Sequence, residues 1–104
     1  PGETMSDKLH NDLTNLSYGS LLQNAPNPFT GNTQIWYKVE KQANVTISVT
    51  DITGKEIQII EQGLKDKGTY KAAFINSGLT PGTYFYSLII DGKKSDTKKM
   101  VIMR

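Results

Sequence analysis

The chain has 104 residues, the length of about one domain, and a formal net charge of +2, too small a basic surplus to signal nucleic acid or an anionic membrane. It holds no cysteine, which excludes disulfides, zinc–thiolate sites and cysteine nucleophiles. No apolar run approaches the ~20 residues that a membrane span requires.

The opening Pro1-Gly2-Glu3-Thr4 shows no signal peptide and reads as a cut inside a longer precursor. Apolar residues then fall at Met5, Leu9, Leu13 and Leu16, the spacing of one helix face, with Ser6 as N-cap. Three turns are marginal alone in water, so this helix around residues 6–16 needs a partner. That partner is the rest of the chain, another copy, or an upstream domain. His10, the single histidine, sits on this segment among polar neighbours, where solvation is its ordinary state. Ser17-Tyr18-Gly19-Ser20 is small and polar and reads as a linker, so residues 1–20 stand apart from 21–104.

From Leu21 onward short β-prone runs recur between turn residues. The pattern predicts strands at Thr33–Val39, Asn44–Asp51, Lys55–Glu61, Thr69–Phe74, Thr83–Asp91 and Ser95–Met103, with a short first strand at Leu21–Gln23. Asp91-Gly92 is the signal for a two-residue hairpin. Thr53-Gly54 marks another hairpin, and Pro81-Gly82 suits a type II turn. Alternation assigns Ile35, Tyr37 and Val39; Val45, Ile47 and Val49; Tyr70, Ala72 and Phe74; and Tyr84, Tyr86, Leu88 and Ile90 to buried rows. One apolar and one polar face per strand, with no strand–helix–strand alternation, points to an all-β, immunoglobulin-like antiparallel sandwich of about seven strands.

The carboxylates Asp51, Glu56, Glu61, Asp66, Asp91 and Asp96 are scattered over turns and strand ends, as turn caps and edge charges would be. There is no phosphate loop, serine elbow or dinucleotide fingerprint, and neither metal ligands nor cofactor-binding residues cluster. Trp36 is out of phase with the buried Ile35 and Tyr37, which leaves it as an edge residue or as a sugar or protein contact. The basic end, Lys93-Lys94, Lys98-Lys99 and Arg104, is equally compatible with protection of an edge strand and with recognition by strand addition.

Four elements in order carry a resemblance: Leu22-Gln23-Asn24-Ala25-Pro26-Asn27-Pro28-Phe29; Asn44 to Ile57 with its Asp51-x-x-Gly54 turn; Leu79-Thr80-Pro81-Gly82-Thr83-Tyr84-Phe85-Tyr86; and the closing Lys98-Lys99-Met100-Val101. Over Leu21 to Arg104 the chain resembles the C-terminal sorting domain of the type IX secretion system, type A. The resemblance implies a non-enzymatic domain at the C-terminus of cargo proteins of Bacteroidetes. Residues 1–20 would then be the end of the cargo or a linker. The implied partners are the outer-membrane translocon and shuttle components, and a sortase-like surface cysteine protease that removes the domain. The cargo would pass through the periplasm to the cell surface or the medium.

The family motif falls on Pro26, Asn27, Pro28, Phe29, Asp51, Gly54, Gly82 and Tyr84. The strand expected to be read by the translocon is Lys98, Lys99, Met100, Val101, Ile102, Met103 and Arg104, with Met100 or Ile102 inserting into the receptor. Cleavage is expected in an accessible linker at Tyr18, Gly19, Ser20 and Leu21. Deleting Met100–Arg104 is expected to trap cargo in the periplasm while leaving most of the sandwich formed. The alternatives are a carbohydrate-binding or adhesive sandwich module, and a structural immunoglobulin-like module such as that of flagellar hook-capping proteins.

Overall fold

Period-two alternation builds two sheets with facing apolar sides. The computed structural model describes residues 18–104, in which the strands are β1 (Gly19–Leu21), β2 (Asn32–Val39), β3 (Ala43–Thr50), β4 (Glu56–Lys65), β5 (Gly68–Ile75), β6 (Gly82–Ile90) and β7 (Lys93–Ile102). The helix expected over Met5–Leu16, with His10, lies outside the described residues. One antiparallel sheet has the order β1-β2-β5 and the other β4-β3-β6-β7. Lettered as in immunoglobulin-like sandwiches, this is A-B-E facing C′-C-F-G.

The core is the set of inward rows. Ile35, Tyr37, Val39, Ala72 and Phe74 come from the smaller sheet; Val45, Ile47, Val49, Tyr84, Tyr86, Leu88 and Ile90 come from the larger. Tyr70, expected in a buried row, is half-buried and stacks on Tyr37 at 5.4 Å between ring centroids. Met100 and Ile102 of β7 complete this core, with 0% and 2% of their surface exposed.

The turns follow their local chemistry. Asp91 (φ 49°) and Gly92 (φ 85°) both take the positive φ that a type I′ hairpin requires. The Asp91 carboxylate also accepts the Asn44 N–H at 2.9 Å. Between β3 and β4, the Asp51 carboxylate accepts the Thr53 N–H, the Thr53 hydroxyl and the Lys55 N–H at 2.8, 2.6 and 3.1 Å. Gly54 closes that turn at φ 90°.

Three expectations need correction. Gly19 and Ser20 are not linker residues: they belong to β1, paired with Val39 and Lys38. Gly19 permits a very close approach, since a Cβ there would lie 2.7 Å from the Lys38 carbonyl oxygen. Strand β4 runs on to Lys65 past the expected end at Glu61. Register shifts at Ile47/Ser48 and Val49/Thr50 scramble its alternation, which hides the strand's length in the sequence. Finally, Gly82 has φ 150°, more extended than the left-handed value of a type II turn.

Candidate functional site

The candidate recognition strand β7 is assembled into the fold on three sides. Through its inner edge it pairs with β6 from Ile90↔Lys93 to Gly82↔Ile102. Its side chains split by phase. Met100 and Ile102 point into the core, so they are not available for insertion into a receptor while the sandwich is intact; the pleat puts every second residue of the strand on the core side. Lys99, Met103 and Arg104 are exposed and Val101 is half-buried.

The two lysines read in sequence as one basic feature therefore occupy opposite faces. Lys98 pairs with buried Tyr86 and shares its inward phase, as does Asp96 opposite Leu88. Inward-pointing charges near a sheet edge discourage edge-to-edge association. Lys99 pairs with Phe85 on the outer face.

The outer edge of β7 is held by the segment from Leu21 to Phe29. The Leu21 N–H donates to the Asp96 carboxylate at 2.8 Å, and the Ser95 hydroxyl donates to the Gly19 carbonyl at 2.9 Å. The Gln23 side-chain amide donates to the Lys99 carbonyl at 2.8 Å. Asn27 accepts the Val101 N–H through its side-chain oxygen at 2.9 Å. Phe29 then forms a parallel bridge: its N–H donates to the Val101 carbonyl at 3.1 Å and its carbonyl accepts the Met103 N–H at 2.7 Å. Strand addition along β7, the mode considered from sequence, thus meets backbone groups that are already engaged.

The Pro26-Asn27-Pro28-Phe29 motif is this clamp. Both prolyl bonds, Ala25–Pro26 and Asn27–Pro28, are cis. The Phe29 ring is buried and meets Phe74 edge-on, with centroids 5.9 Å apart. Beneath the clamp lies Asn24, to which the sequence pattern assigns no role. It is 2% exposed; its N–H donates to the Tyr86 hydroxyl at 2.8 Å, and its side-chain amide donates to the Pro26 carbonyl and Thr33 hydroxyl. The Tyr86 hydroxyl in turn donates to the Leu22 carbonyl at 2.8 Å. Burial raises the Tyr86 pKa to about 12. A buried asparagine beside prolines gives no periodic signal, so only the paired chain reveals it.

Tyr84 of the Gly-x-Tyr motif forms a tyrosine corner: its hydroxyl donates to the Thr80 carbonyl four residues upstream at 2.6 Å. Asp51 and Gly54 are the β3–β4 turn already described. Each motif position with a described contact here holds backbone in place. The remaining carboxylates act in the same local way, with Glu56 accepting the Ser48 hydroxyl, Asp66 accepting the Gln42 amide, and Glu61 lying 3.7 Å from Lys65. Trp36 is half-buried on the outer face of the smaller sheet, with the Lys71 ammonium 6.0 Å from its ring centroid. Phe85 lies on the outer face of the other sheet and Tyr18 under Lys41 at 4.0 Å, so these rings form no common strip.

At the expected cleavage region, Tyr18 is exposed, Gly19 and Leu21 are buried, and Ser20 is half-buried. The Tyr18 carbonyl accepts the Glu40 N–H at 2.6 Å.

Residues 25–103 match the family described as the secretion system C-terminal sorting domain. No curated protein matches the chain. Among solved structures, it is similar to an alkylpurine DNA glycosylase AlkC from Pseudomonas fluorescens bound to DNA containing an abasic site analog, at 11% identity and TM-score 0.49, over 85% of this chain and 31% of that one. It is also similar to a β-glucosidase from Listeria innocua in complex with glucose, at 10% identity and TM-score 0.45, over 85% of this chain and 16% of that one. The chain thus spans less than a third of either protein.

Proposed function

Since this chain belongs to the secretion system C-terminal sorting domain family, a family of type IX secretion sorting signals, we propose that it directs a cargo through the outer-membrane translocon and is then removed by a sortase-like cysteine protease. The observation that carries this reading is the family match over residues 25–103. From the folded domain the machinery reads the outward residues Lys99, Val101 and Met103, together with the exposed Arg104 past the end of β7. Met100 and Ile102 contribute by holding those residues in place from the core. The lysine and arginine part of the contact weakens with salt.

Cleavage falls at or before Tyr18. Proteases favour exposed, unpaired backbone, whereas Gly19–Leu21 is paired to β2. The cargo passes the periplasm and reaches the cell surface or the medium.

The test fuses the chain to a reporter in a bacterium that has this secretion system. A Lys99→Glu, Met103→Ser, Arg104→Glu variant changes only exposed side chains. It is expected to fold as the parent does by circular dichroism and to leave the reporter in the periplasm. Normal surface delivery of that variant would overturn recognition through the outward row. Mass spectrometry of released domain that begins at Ser20, Leu21 or Leu22 would overturn the cleavage assignment.

A further inference from the structure

A sandwich of two open sheets has four edges, and three of them here are guarded. Strand β1 has three residues and its neighbour across the sandwich is β7, to which Leu21 and Gly19 bond. The β7 edge is clamped. Strand β4 is broken by two register shifts, and bulges spoil an edge for pairing. Strand β5 has none of these devices: all eight of its residues pair with β2 in unbroken register.

The direction of its backbone groups follows from β2. Gln34 exchanges two hydrogen bonds of 3.0 Å with Ala25, and the Trp36 carbonyl accepts the Leu22 N–H at 2.9 Å. Even-numbered β2 residues therefore point toward β1, and odd-numbered ones toward β5. Their partners Gly68, Tyr70, Ala72 and Phe74 spend their groups on β2. The N–H and C=O groups of Thr69, Lys71, Ala73 and Ile75 point away from the sheet, and all four residues are exposed. Among the described residues no other chain segment bonds them.

We propose that β5 is a self-pairing edge: two copies of the chain join antiparallel along it into one six-stranded sheet. The strand is complementary to itself in one register. With Ala72 opposite Ala72 of the second copy, Thr69 faces Ile75 and Lys71 faces Ala73, so all four outward residues pair. Moving the axis by one residue toward the start of the strand sets Lys71 against Lys71 of the second copy, a repulsive cross-strand pair. Moving it the other way leaves Thr69 without a partner on the strand. The one charge of β5 thus selects the centred register, and the ordinary objection to an edge lysine vanishes because it meets an alanine. This pairing is independent of the sorting role.

Sedimentation of the 104-residue chain over a concentration series tests it. A reversible dimer is expected. Ala73→Glu places a carboxylate opposite Lys71 twice per dimer and should tighten association by about 2- to 30-fold. Ala73→Lys should loosen it by a similar factor, and adding Lys71→Glu to Ala73→Lys should restore it. Ala73→Pro removes one outward N–H at a place where an edge strand tolerates proline. It should keep the monomer folded, by circular dichroism, and abolish the dimer. A chain that stays monomeric up to about 1 mM, where association is worth less than about 4 kcal/mol, overturns the proposal. So does an association that survives Ala73→Pro or responds alike to both charges at position 73.

Discussion

Deleting one oxygen atom, in Tyr86→Phe, tests whether the clamp over β7 is anchored from the core. The Tyr86 ring is fully buried, and its hydroxyl accepts the Asn24 N–H and donates to the Leu22 carbonyl, both at 2.8 Å. Phenylalanine keeps the ring, so the cost is two hydrogen bonds at about 0.5–1.5 kcal/mol each, about 1–3 kcal/mol together. The upper half of that range applies because Asn24 is 2% exposed and its N–H is left without water. A loss of about 2 kcal/mol lowers Tm by about 8–16 °C in a domain of this size. Tyr84→Phe is the comparator: it also loses two bonds, 2.6 Å to the Thr80 carbonyl and 3.1 Å with the Thr80 hydroxyl, but both at a part-buried site, so the lower half of the same range applies, about 1–2 kcal/mol. Urea unfolding at constant m gives both values. Hydrogen exchange at the Val101 and Met103 amides, which the clamp occupies, should accelerate in Tyr86→Phe and not in Tyr84→Phe. A Tyr86→Phe protein less perturbed than Tyr84→Phe, or one with unchanged exchange at those amides, would refute the anchoring.

Gly19→Ala drives a methyl to within 2.7 Å of the Lys38 carbonyl oxygen and should cost about 1–3 kcal/mol in urea unfolding, as overpacking does; a neutral change would place β1 elsewhere. The Thr53 hydroxyl, with the Thr53 and Lys55 amides, holds the Asp51 carboxyl below the usual carboxylate range. Its stabilisation is therefore present above the unfolded pKa, about 3.9, and is lost as pH falls through the lowered folded value; wild type should lose more stability than Asp51→Asn on acidification, and parallel pH profiles would count against the turn cap. At the alkaline side burial raises Tyr86 to about 12 and raises Tyr37 as well, the latter further pushed by Glu61. The unfolded phenols ionise near 10, so stability is complete below that pH and falls as pH rises toward the folded values; phenolate absorbance appearing with normal titration before unfolding would contradict this. Lys99→Glu, on the outer face, should stay within about 0.5 kcal/mol of wild type, while Met100→Ala, fully buried one residue away, should cost about 2–5 kcal/mol.

Most of the fold was legible in the sequence because alternation and turn chemistry are local. The rows of Ile35, Val45 and Tyr84 followed from period two, and Asp91-Gly92 named its own hairpin. What escaped was relational. Gly19 looked like linker because glycine is small and polar segments surround it; its role is a close approach to a strand almost twenty residues away in sequence. Gln23 read as the end of a short first strand and Asn24 as part of the entry motif; their partners Tyr86 and Lys99 belong to the larger sheet. The outward row of β7 was half visible. Lys98 and Lys99 are adjacent in sequence and so read as one patch, although a pleated strand sends neighbours to opposite faces.

The split of β7 into core and outer faces decides how its proposed recognition can be tested. Deleting Met100–Arg104 was expected to leave most of the sandwich intact, but Met100 and Ile102 are core side chains with almost no exposed surface. Losing two such residues costs about 4–10 kcal/mol at the scale of large-to-small core changes, comparable with the whole stability of a domain, about 5–15 kcal/mol. The deletion also removes Val101 and Met103, where Asn27 and Phe29 attach, and so releases the clamp. A truncated chain that fails to leave the periplasm has then lost its fold together with the surface proposed to be recognised. Exchange of the outward row alone separates the two, because Lys99, Met103 and Arg104 can be changed while Met100 and Ile102 keep the strand in place. If truncation blocks export and the folded surface variant does not, the machinery depends on the folded domain or on its buried strand once unpaired, and not on the charged outer face.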